Sequence, residues 1–289
     1  MDCETMASDG GPAQEALGPQ HWVGRRRGAH LPTGLPVLDG LSSLAHVRID
    51  AVAAEAHAHW GAISSLIERR YRWRGYPVKG AAIDPSCPHR MTLTASSGRE
   101  PVGTITVGID GPMPLAAEQT FPEEVQRLRE QGQALCEFSR LAIDPSDDSK
   151  AILAGLFHVA YIIAFRIHQR DTLIFEVNPR HVRFYARLLG SEVLASGRHN
   201  AGVNAPSVLL GLDLHHVQEM IAKLGGRPLR AVTERTLYPY AFSAQVESEI
   251  VGRLRRHVHR PGHATEAALA REYERRRLAQ ETAQAALRA

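Results

Sequence analysis

The chain of 289 residues contains only three cysteines, Cys3, Cys87 and Cys136, and no two of them form a C-x-x-C pair. This spacing supports neither a disulfide framework nor a zinc site, and it predicts a protein of the reducing cytoplasm. Residues 1–20 lack a basic start followed by an apolar core, so we expect no secretory signal.

The sequence also lacks a strong charge of one sign and a long hydrophobic run. Its 34 Lys and Arg residues nearly balance 31 Asp and Glu residues, which leaves a net charge of +3. Any basic surface must therefore be local. One apolar stretch, 151–167, is shorter than the roughly 20 residues of a membrane span and contains His158 and Arg166. We predict that it is a buried core helix, with no transmembrane segment.

Signals for metal and nucleic-acid binding are weak. The 15 histidines include pairs such as His57 and His59, but they complete no set of metal ligands, so no metal is expected. The basic and aromatic stretch 70–73 (Arg-Tyr-Arg-Trp) is short and has no recognition helix beside it. We therefore expect no nucleic-acid partner.

Three regions differ in composition. Gly, Pro, Ala and Ser dominate residues 1–42, which predicts a flexible N-terminal lead-in. Residues 43–228 alternate as strand, helix, strand, strand, helix, strand, helix, strand, helix, strand, strand, which predicts a mixed α/β sheet with parallel strand–helix–strand units. Residues 229–289 are rich in Ala, Arg and Glu and predict a helical C-terminal extension. The composition leaves homo-oligomer formation and partial disorder both open for this extension.

The predicted core strand 135–143 contains a carboxylate, Glu137. Because burial raises the pKa of a carboxyl group, Glu137 is a candidate general base. A structural ion pair with Arg140 is the alternative. On a regular strand these two side chains point to opposite faces, so they can share a face only if the strand bulges between them.

Three segments resemble a known enzyme family in the same order. Residues 137–145 (Glu-Phe-Ser-Arg-Leu-Ala-Ile-Asp-Pro) are similar to the central strand of long-chain N-acyl amino acid synthases, which themselves resemble acyl-homoserine-lactone synthases. Residues 178–190 resemble the fourth helix of GNAT acyltransferases, and 203–210 resemble the Val-Asn-Ala-Pro segment before the last strand of the synthases. The resemblance covers about 45–225. It implies a GNAT fold, a mixed central sheet flanked by helices, with a bulge on the central strand.

The resemblance implies an acyltransferase of the EC 2.3.1 type. The implied reaction moves a long-chain fatty acyl group from a thioester to the α-amine of an amino acid. It implies no permanently bound cofactor, since the phosphopantetheine thioester of acyl carrier protein, or acyl-CoA, is a co-substrate. The sequence names neither the acceptor amino acid nor the acyl length. An acyl-homoserine-lactone synthase and a non-catalytic GNAT-like scaffold that binds an acyl chain or a protein partner are the alternatives.

The turn after the central strand favours acyl carrier protein over coenzyme A. GNAT enzymes that use coenzyme A have a glycine-containing loop whose amides hold the pyrophosphate at a helix N-terminus. Here residues 146–151 (Ser-Asp-Asp-Ser-Lys-Ala) contain no glycine and two acids, which would repel a pyrophosphate. Binding of coenzyme A through backbone amides and Lys150 is the alternative. Because carrier proteins are acidic, a basic docking face is expected. Its candidates are Arg166, His168, Arg170, Arg180, Arg183 and Arg187.

The resemblance also suggests which residues act. Tyr185 stands where GNAT enzymes often place a tyrosine that protonates the leaving thiolate, and it joins Glu137 and Arg140 as a catalytic candidate. The donor-binding candidates are Leu141, Ile143, Ser149, Lys150, Asn178 and His181. The acceptor and acyl-pocket candidates are Arg72, Trp73, Phe138, Phe157 and Tyr161. For the aromatic residues, filling the core is the alternative, and for Asn178 it is a plain turn. Cys136 is expected to be a buried bystander.

Overall fold

A computed structural model describes residues 36–38, 47–52, 57–76, 87 and 89–258. Most of the predicted lead-in and the last part of the predicted extension, 259–289, lie outside the described residues. The strands are β1 (Pro36–Leu38), β2 (Val47–Ala51), β3 (Arg90–Ser97), β4 (Glu100–Ile109), β5 (Leu135–Ile143), β6 (Thr172–Val177), β7 (Glu192–Asn200) and β8 (Ala205–Asp213). Within the described ranges they form one sheet of eight strands, in the order β1-β2-β3-β4-β5-β6-β8-β7.

Helices flank this sheet on both faces. They are α1 (His57–Trp73), α2 (Pro122–Glu130), α3 (Ser149–Tyr161), α4 (Val182–Leu189), α5 (Leu214–Leu224), α6 (Ala231–Glu234) and α7 (Ala244–Val258). A 3-10 turn, Ala116–Gln119, precedes α2, and a π-helix, Ile162–Ile167, continues α3. From β2 to β8 the order of elements is the predicted one, and β5 and β6 have the predicted bounds.

Strand direction differs from the prediction in part. The β5–α3–β6 unit is parallel, as predicted, but β2 and β3 are antiparallel and so are β4 and β5, although a helix connects each pair. The α2 connection shows the physical reason. A helix of 9 residues rises only about 14 Å. It is therefore too short to carry the chain back along a neighbouring strand of about 30 Å.

The two faces of the sheet are covered differently. On one face, Phe138 of β5 and Phe175 of β6 share a core cluster with buried residues of α3, α5 and α7. On the other face, Leu135 of β5 and Ile174 of β6 pack against α2, and Ala142 packs against α1. We refer to these as the α3 face and the α1 face. The division matters because the functional site has a different chemistry on each face.

The apolar helix is part of the α3 face. Together α3 and the π-helix span Ser149–Ile167, a helix long and apolar enough to cross a membrane. However, 67% of its most apolar stretch of 18 residues is buried inside the protein. Leu156, Val159 and Ile162 have no exposed surface. This burial agrees with the predicted core helix.

The described part of the predicted C-terminal extension packs on the same core. Ile250 and Leu254 of α7 are buried with α3, and Arg166 forms an ion pair with Glu247 at 2.8 Å. The ring of His158 is buried between these elements: Nδ1 accepts a hydrogen bond from the Phe242 amide at 3.0 Å, and Nε2 lies 3.4 Å from Glu247. Helix α7 therefore packs against α3 and the π-helix and holds them in place.

Candidate active site

The site lies where β5 and β6 part. In the described sheet these two strands form three residue pairs, ending at Glu137↔Ile174, although β5 continues to Ile143 and β6 to Val177. A cavity of about 560 Å³ occupies the gap. Side chains from both faces line this cavity, so it passes through the sheet.

A β-bulge at Arg140 shapes one wall of the gap. Thr106 pairs with Ser139 and Thr104 with Ala142, so β5 has one residue more than β4 between these pairs. Arg140 takes the extra turn with a φ of 51°. As a result Phe138 and Leu141, three positions apart, both pack on the α3 face. The predicted bulge is confirmed, and it turns Arg140 to the α1 face with Glu137.

The backbone at the bulge gives a stability prediction. A side chain at positive φ costs about 1–2 kcal/mol, which glycine avoids. We therefore expect Arg140→Gly to be more stable than Arg140→Ala by about 1 kcal/mol, after subtracting the greater freedom of unfolded glycine. Urea unfolding of the two variants measures this difference. Equal stability, or a more stable alanine variant, would show that residue 140 does not need the left-handed conformation.

Glu137 is the buried acid of the site, with 3% of its surface exposed. Its carboxylate accepts hydrogen bonds from the backbone amides of Ala116 at 2.7 Å and Ala117 at 2.8 Å, at the start of the 3-10 turn. Burial raises the pKa of Glu137, while the Ala116 amide and the charge of Arg90 act against the rise. Each carboxylate oxygen keeps a second lone pair for a substrate proton.

A second carboxylate, Glu176 of β6, also lines the cavity. Its Oε2 accepts hydrogen bonds from Ser207 Oγ at 2.7 Å and from Asn200 Nδ2 at 2.8 Å. The negative charge of Glu176 contributes to the raised pKa of Glu137. Glu176 was not among the site residues predicted from the sequence, although it has the same signal as Glu137: a single acid in a mostly apolar strand, Thr-Leu-Ile-Phe-Glu-Val.

Tyr71 of helix α1 lines the cavity, as do Arg74 and Tyr76 in the turn after the helix, and the predicted Arg72 and Trp73 do not. Arg72 pairs with Glu68 on the helix surface, and Trp73 is 73% exposed. The reason is helical geometry. Positions four apart share a face of a helix, so Ile67 and Tyr71 point inward together, and Arg72 and Trp73, one and two positions further, turn outward.

The α3-face half of the cavity is aromatic and aliphatic. The predicted Phe138 and Phe157 line it, with ring centroids 5.5 Å apart, and the ring of Tyr185 meets the ring of Phe175 at 5.3 Å. Burial raises the pKa of the Tyr185 phenol. The predicted Tyr161 is not a wall of this cavity. It has no exposed surface, because one more turn of α3 carries it into the core.

The predicted donor-binding residues divide into two groups. Leu141, Asn178 and His181 line the cavity, whereas Ile143, Ser149 and Lys150 do not. Asn178 also forms a turn, accepting a hydrogen bond from the Arg180 amide at 3.2 Å and donating one to the Pro206 carbonyl at 3.3 Å.

Ser149 is engaged in the turn before α3. Its hydroxyl accepts a hydrogen bond from the Ser146 amide at 2.7 Å and approaches the Ser146 carbonyl at 2.8 Å. Helix α3 begins at Ser149 itself, and Asp148 holds the N-cap position. The serine closes a tight turn instead of presenting its hydroxyl to a phosphate.

The described residues of this site support neither a cysteine nucleophile nor a bound metal ion. Cys136 has no exposed surface, and burial raises the pKa of its thiol, so it is the expected bystander and not a nucleophile. Among the residues that the structure describes, no group of three His, Cys, Asp or Glu side chains could hold a metal ion.

One family model and several solved structures match this chain. The family model described as N-acyl amino acid synthase FeeM matches residues 62–213. The solved structure of FeeM, an N-acyl amino acid synthase from uncultured soil microbes, is 24% identical over 58% of this chain and 90% of that chain, with a TM-score of 0.52. No curated protein matches the sequence.

Two further solved structures are less similar. The AHL synthase LasI is 15% identical over 58% of this chain and 89% of that chain, with a TM-score of 0.43. An aminoglycoside 6'-acetyltransferase type Ii is 15% identical over 57% of this chain and 96% of that chain, with a TM-score of 0.40. The matched segment 62–213 contains β5, β6 and all the residues that line the cavity except Leu237, and it exceeds half of the chain. The chain therefore belongs to the N-acyl amino acid synthase FeeM family and is an acyltransferase with the GNAT fold.

Proposed function

We propose that this enzyme transfers a long-chain fatty acyl group from the thioester of acyl carrier protein to the α-amine of an amino acid. One observation carries the proposal. The carboxylate of Glu137 lies at the point where β5 and β6 separate, beside a cavity that is polar on the α1 face and apolar on the α3 face. An amine and an acyl thioester entering from opposite faces would meet beside this carboxylate.

Glu137 is the general base of the proposed reaction. The acceptor ammonium gives one proton to this carboxylate, and the neutral nitrogen attacks the thioester carbonyl. A C–N bond forms, the nitrogen gives a second proton to solvent so that one N–H bond remains in the amide, the C–S bond breaks, and the pantetheine sulfur leaves as a thiolate. Arg140, on the same face as Glu137, binds the carboxylate of the amino acid, for which a guanidinium offers paired donors.

Tyr185 supports the leaving sulfur by hydrogen bonding. A phenol has a pKa of about 10 and a thiol about 8.5, and burial raises the pKa of this phenol further. Complete proton transfer from Tyr185 to the thiolate is therefore uphill. A hydrogen bond from the phenol stabilises the developing charge, and solvent supplies the proton after release.

The donor side favours a protein over free coenzyme A. The turn before α3 has no glycine, carries the exposed Asp147, and uses the Ser149 hydroxyl for itself. The exposed arginines Arg183 and Arg187 of α4 flank Phe184, which is 51% exposed and lines the cavity mouth. Such a basic surface around an apolar entrance suits an acidic carrier protein. A cytoplasmic enzyme would meet that donor directly.

Of the other basic candidates, Arg166 is already engaged. Its guanidinium donates to Glu247 at 2.8 Å, on the α7 side of α3. The guanidinium of Arg180 also donates to the Arg74 carbonyl at 3.0 Å and to the Tyr76 hydroxyl at 3.1 Å. We propose the α4 surface at Arg183 and Arg187 as the docking surface because these two exposed arginines lie beside the apolar cavity mouth.

Expression in a bacterium that makes fatty acids tests the function. Lipid extracts analysed by mass spectrometry are expected to contain N-acyl amino acids that are missing from cells with the empty vector and from cells with the Glu137→Gln variant. Extracts that match the empty vector, from cells with abundant folded protein, would contradict the proposal.

The pH dependence of the reaction follows from the environment of Glu137. A carboxylate accepts a proton only in its ionised form, so kcat/KM is expected to fall as the pH falls through the pKa of Glu137. Because burial raises this pKa, the acidic limb is expected above the ordinary value of about 4.3 for glutamate. A pH profile of kcat/KM measures the limb. A limb at or below the ordinary value would assign the base to another group.

A further inference from the structure

We propose that Glu176 is the residue that receives the ammonium group of the acceptor, and that the site thereby selects zwitterionic α-amino acids. This inference rests on the proposed function and deepens it. Glu176 acts as a positioning residue: it holds a nitrogen that Glu137 deprotonates.

The placement of Glu176 on the sheet is the first support. Ile174 of β6 packs on the α1 face, and side chains two positions apart on a strand share a face, so Glu176 also points to the α1 face. Glu137 of β5 points to the same face, two positions after Leu135. The two carboxylates therefore stand on opposite sides of the gap between β5 and β6, and both line the cavity.

The hydrogen bonds of Glu176 are the second support. Both donors, Ser207 Oγ at 2.7 Å and Asn200 Nδ2 at 2.8 Å, bond to Oε2. In the described part of the chain, this leaves the lone pairs of Oε1 for a ligand. Ser207 is 3% exposed, so a buried donor holds Oε2 of Glu176 in place, and we infer that Oε1 faces the cavity. A fixed acceptor of this kind suits a charged N–H donor.

The charges around the cavity are the third support. The carboxylates of Glu137 and Glu176 and the guanidiniums of Arg74 and Arg140 line the same space. A free α-amino acid carries one ammonium and one carboxylate, so it complements both pairs. When Glu137 takes one proton, two N–H bonds remain on the nitrogen. A hydrogen bond from one of them to Glu176 turns the lone pair of the nitrogen towards the thioester carbonyl.

Binding of the full-length protein to matched ligands tests this inference. Isothermal titration calorimetry compares each natural amino acid with the α-hydroxy acid of the same side chain, which keeps the carboxylate and lacks the ammonium. Wild type is expected to prefer the amino acid. In Glu176→Gln this preference is expected to fall roughly tenfold or more, since a hydrogen bond to a charged group contributes more binding free energy than one between neutral groups. The KM for the amino acid should rise while the KM for the acyl thioester stays unchanged.

The variant separates positioning from a merely structural role. The amide oxygen of the glutamine introduced by Glu176→Gln can still accept from Ser207 and Asn200, so the links to β8 and β7 remain and only the charge is lost. Glu192→Gln removes a charge from an exposed position of β7 outside the cavity lining and is expected to leave the preference unchanged. Melting temperatures of both variants check that they fold.

The outcomes distinguish this inference from the proposed function. If wild type makes N-acyl amino acids but Glu176→Gln keeps the full preference for amino acids over hydroxy acids, the inference is overturned alone. If amino acids bind and the preference is lost in Glu176→Gln but no acyl transfer occurs, the proposed function fails, and only the selection of the ammonium group by Glu176 stands. If no amino acid binds or is acylated, both are overturned.

Discussion

Replacing Glu137 by glutamine is expected to lower kcat for N-acyl amino acid formation at least about a hundredfold, the usual contribution of a general base. The variant keeps the shape of the side chain but cannot accept the ammonium proton. The position is nearly closed to solvent, with 3% of the residue exposed, so water can replace the base only poorly. Steady-state kinetics with saturating amino acid and acyl thioester measure the effect.

Folding must be separated from catalysis in this variant. The two oxygens of Glu137 accept from two amides, Ala116 and Ala117, whereas a glutamine side chain has one acceptor oxygen for both. Unfolding curves therefore accompany the kinetics. Glu137→Asp, which keeps the charge but draws it back by one methylene, should retain more activity than Glu137→Gln. Glu100→Gln, at an exposed position of β4, should retain all of it. Folded Glu137→Gln with near wild-type kcat would contradict the role of Glu137.

Replacing Leu153 by tryptophan is expected to change the acyl-chain preference by about a hundredfold. Leu153 lies on α3 and lines the cavity beside Phe157. A larger side chain there shortens the apolar half of the cavity. Each methylene that no longer fits forfeits about 0.8 kcal/mol of binding free energy. For an acyl chain with about four such methylenes, kcat/KM therefore falls about a hundredfold relative to that of a shorter chain.

The ratio of kcat/KM values for a long-chain and a medium-chain acyl carrier protein measures this shift. Leu153→Met is the matched control, because a swap of similar volume should leave the ratio close to that of wild type. If Leu153→Trp folds and keeps the preference of wild type, the acyl chain does not occupy the α3-face half of the cavity.

The central strand was predictable because its signals are local. Asp144 and Pro145 gave the C-terminal end of β5, and a lone acid within the mostly apolar strand marked Glu137. The resemblance to GNAT enzymes predicted a bulge on this strand, and the structure has it at Arg140. The strand and its acid followed from a short stretch of sequence, and the two-residue period of a strand showed that Glu137 and Arg140 share a face only with such a bulge.

The rest of the site depends on contacts that are distant in sequence. The amides that hold Glu137 belong to Ala116 and Ala117, whose side chains carry no polar signal. Glu176 becomes conspicuous only when Ser207 and Asn200 are brought beside it by strand pairing. A backbone donor and a cross-strand partner leave no pattern in a single sequence.

The predicted α1 contribution failed for a different reason. Of the stretch 70–73, Tyr71 lines the cavity, but the sequence does not fix the rotation of a helix that is basic over its last turns. Packing of Ile63 and Ile67 against the sheet sets this rotation and turns Tyr71 inward in place of Trp73.

The most direct measurement is a reaction of the purified chain with acyl carrier protein carrying a long-chain acyl thioester, in the presence of the natural amino acids. Mass spectrometry follows the product while a thiol reagent follows the released pantetheine. We predict one N-acyl amino acid for each thiol released, and a lower rate with the matching acyl-CoA. Release of thiol with only free fatty acid, or no release at all from the folded protein, would contradict the proposed acyl transfer to an amine.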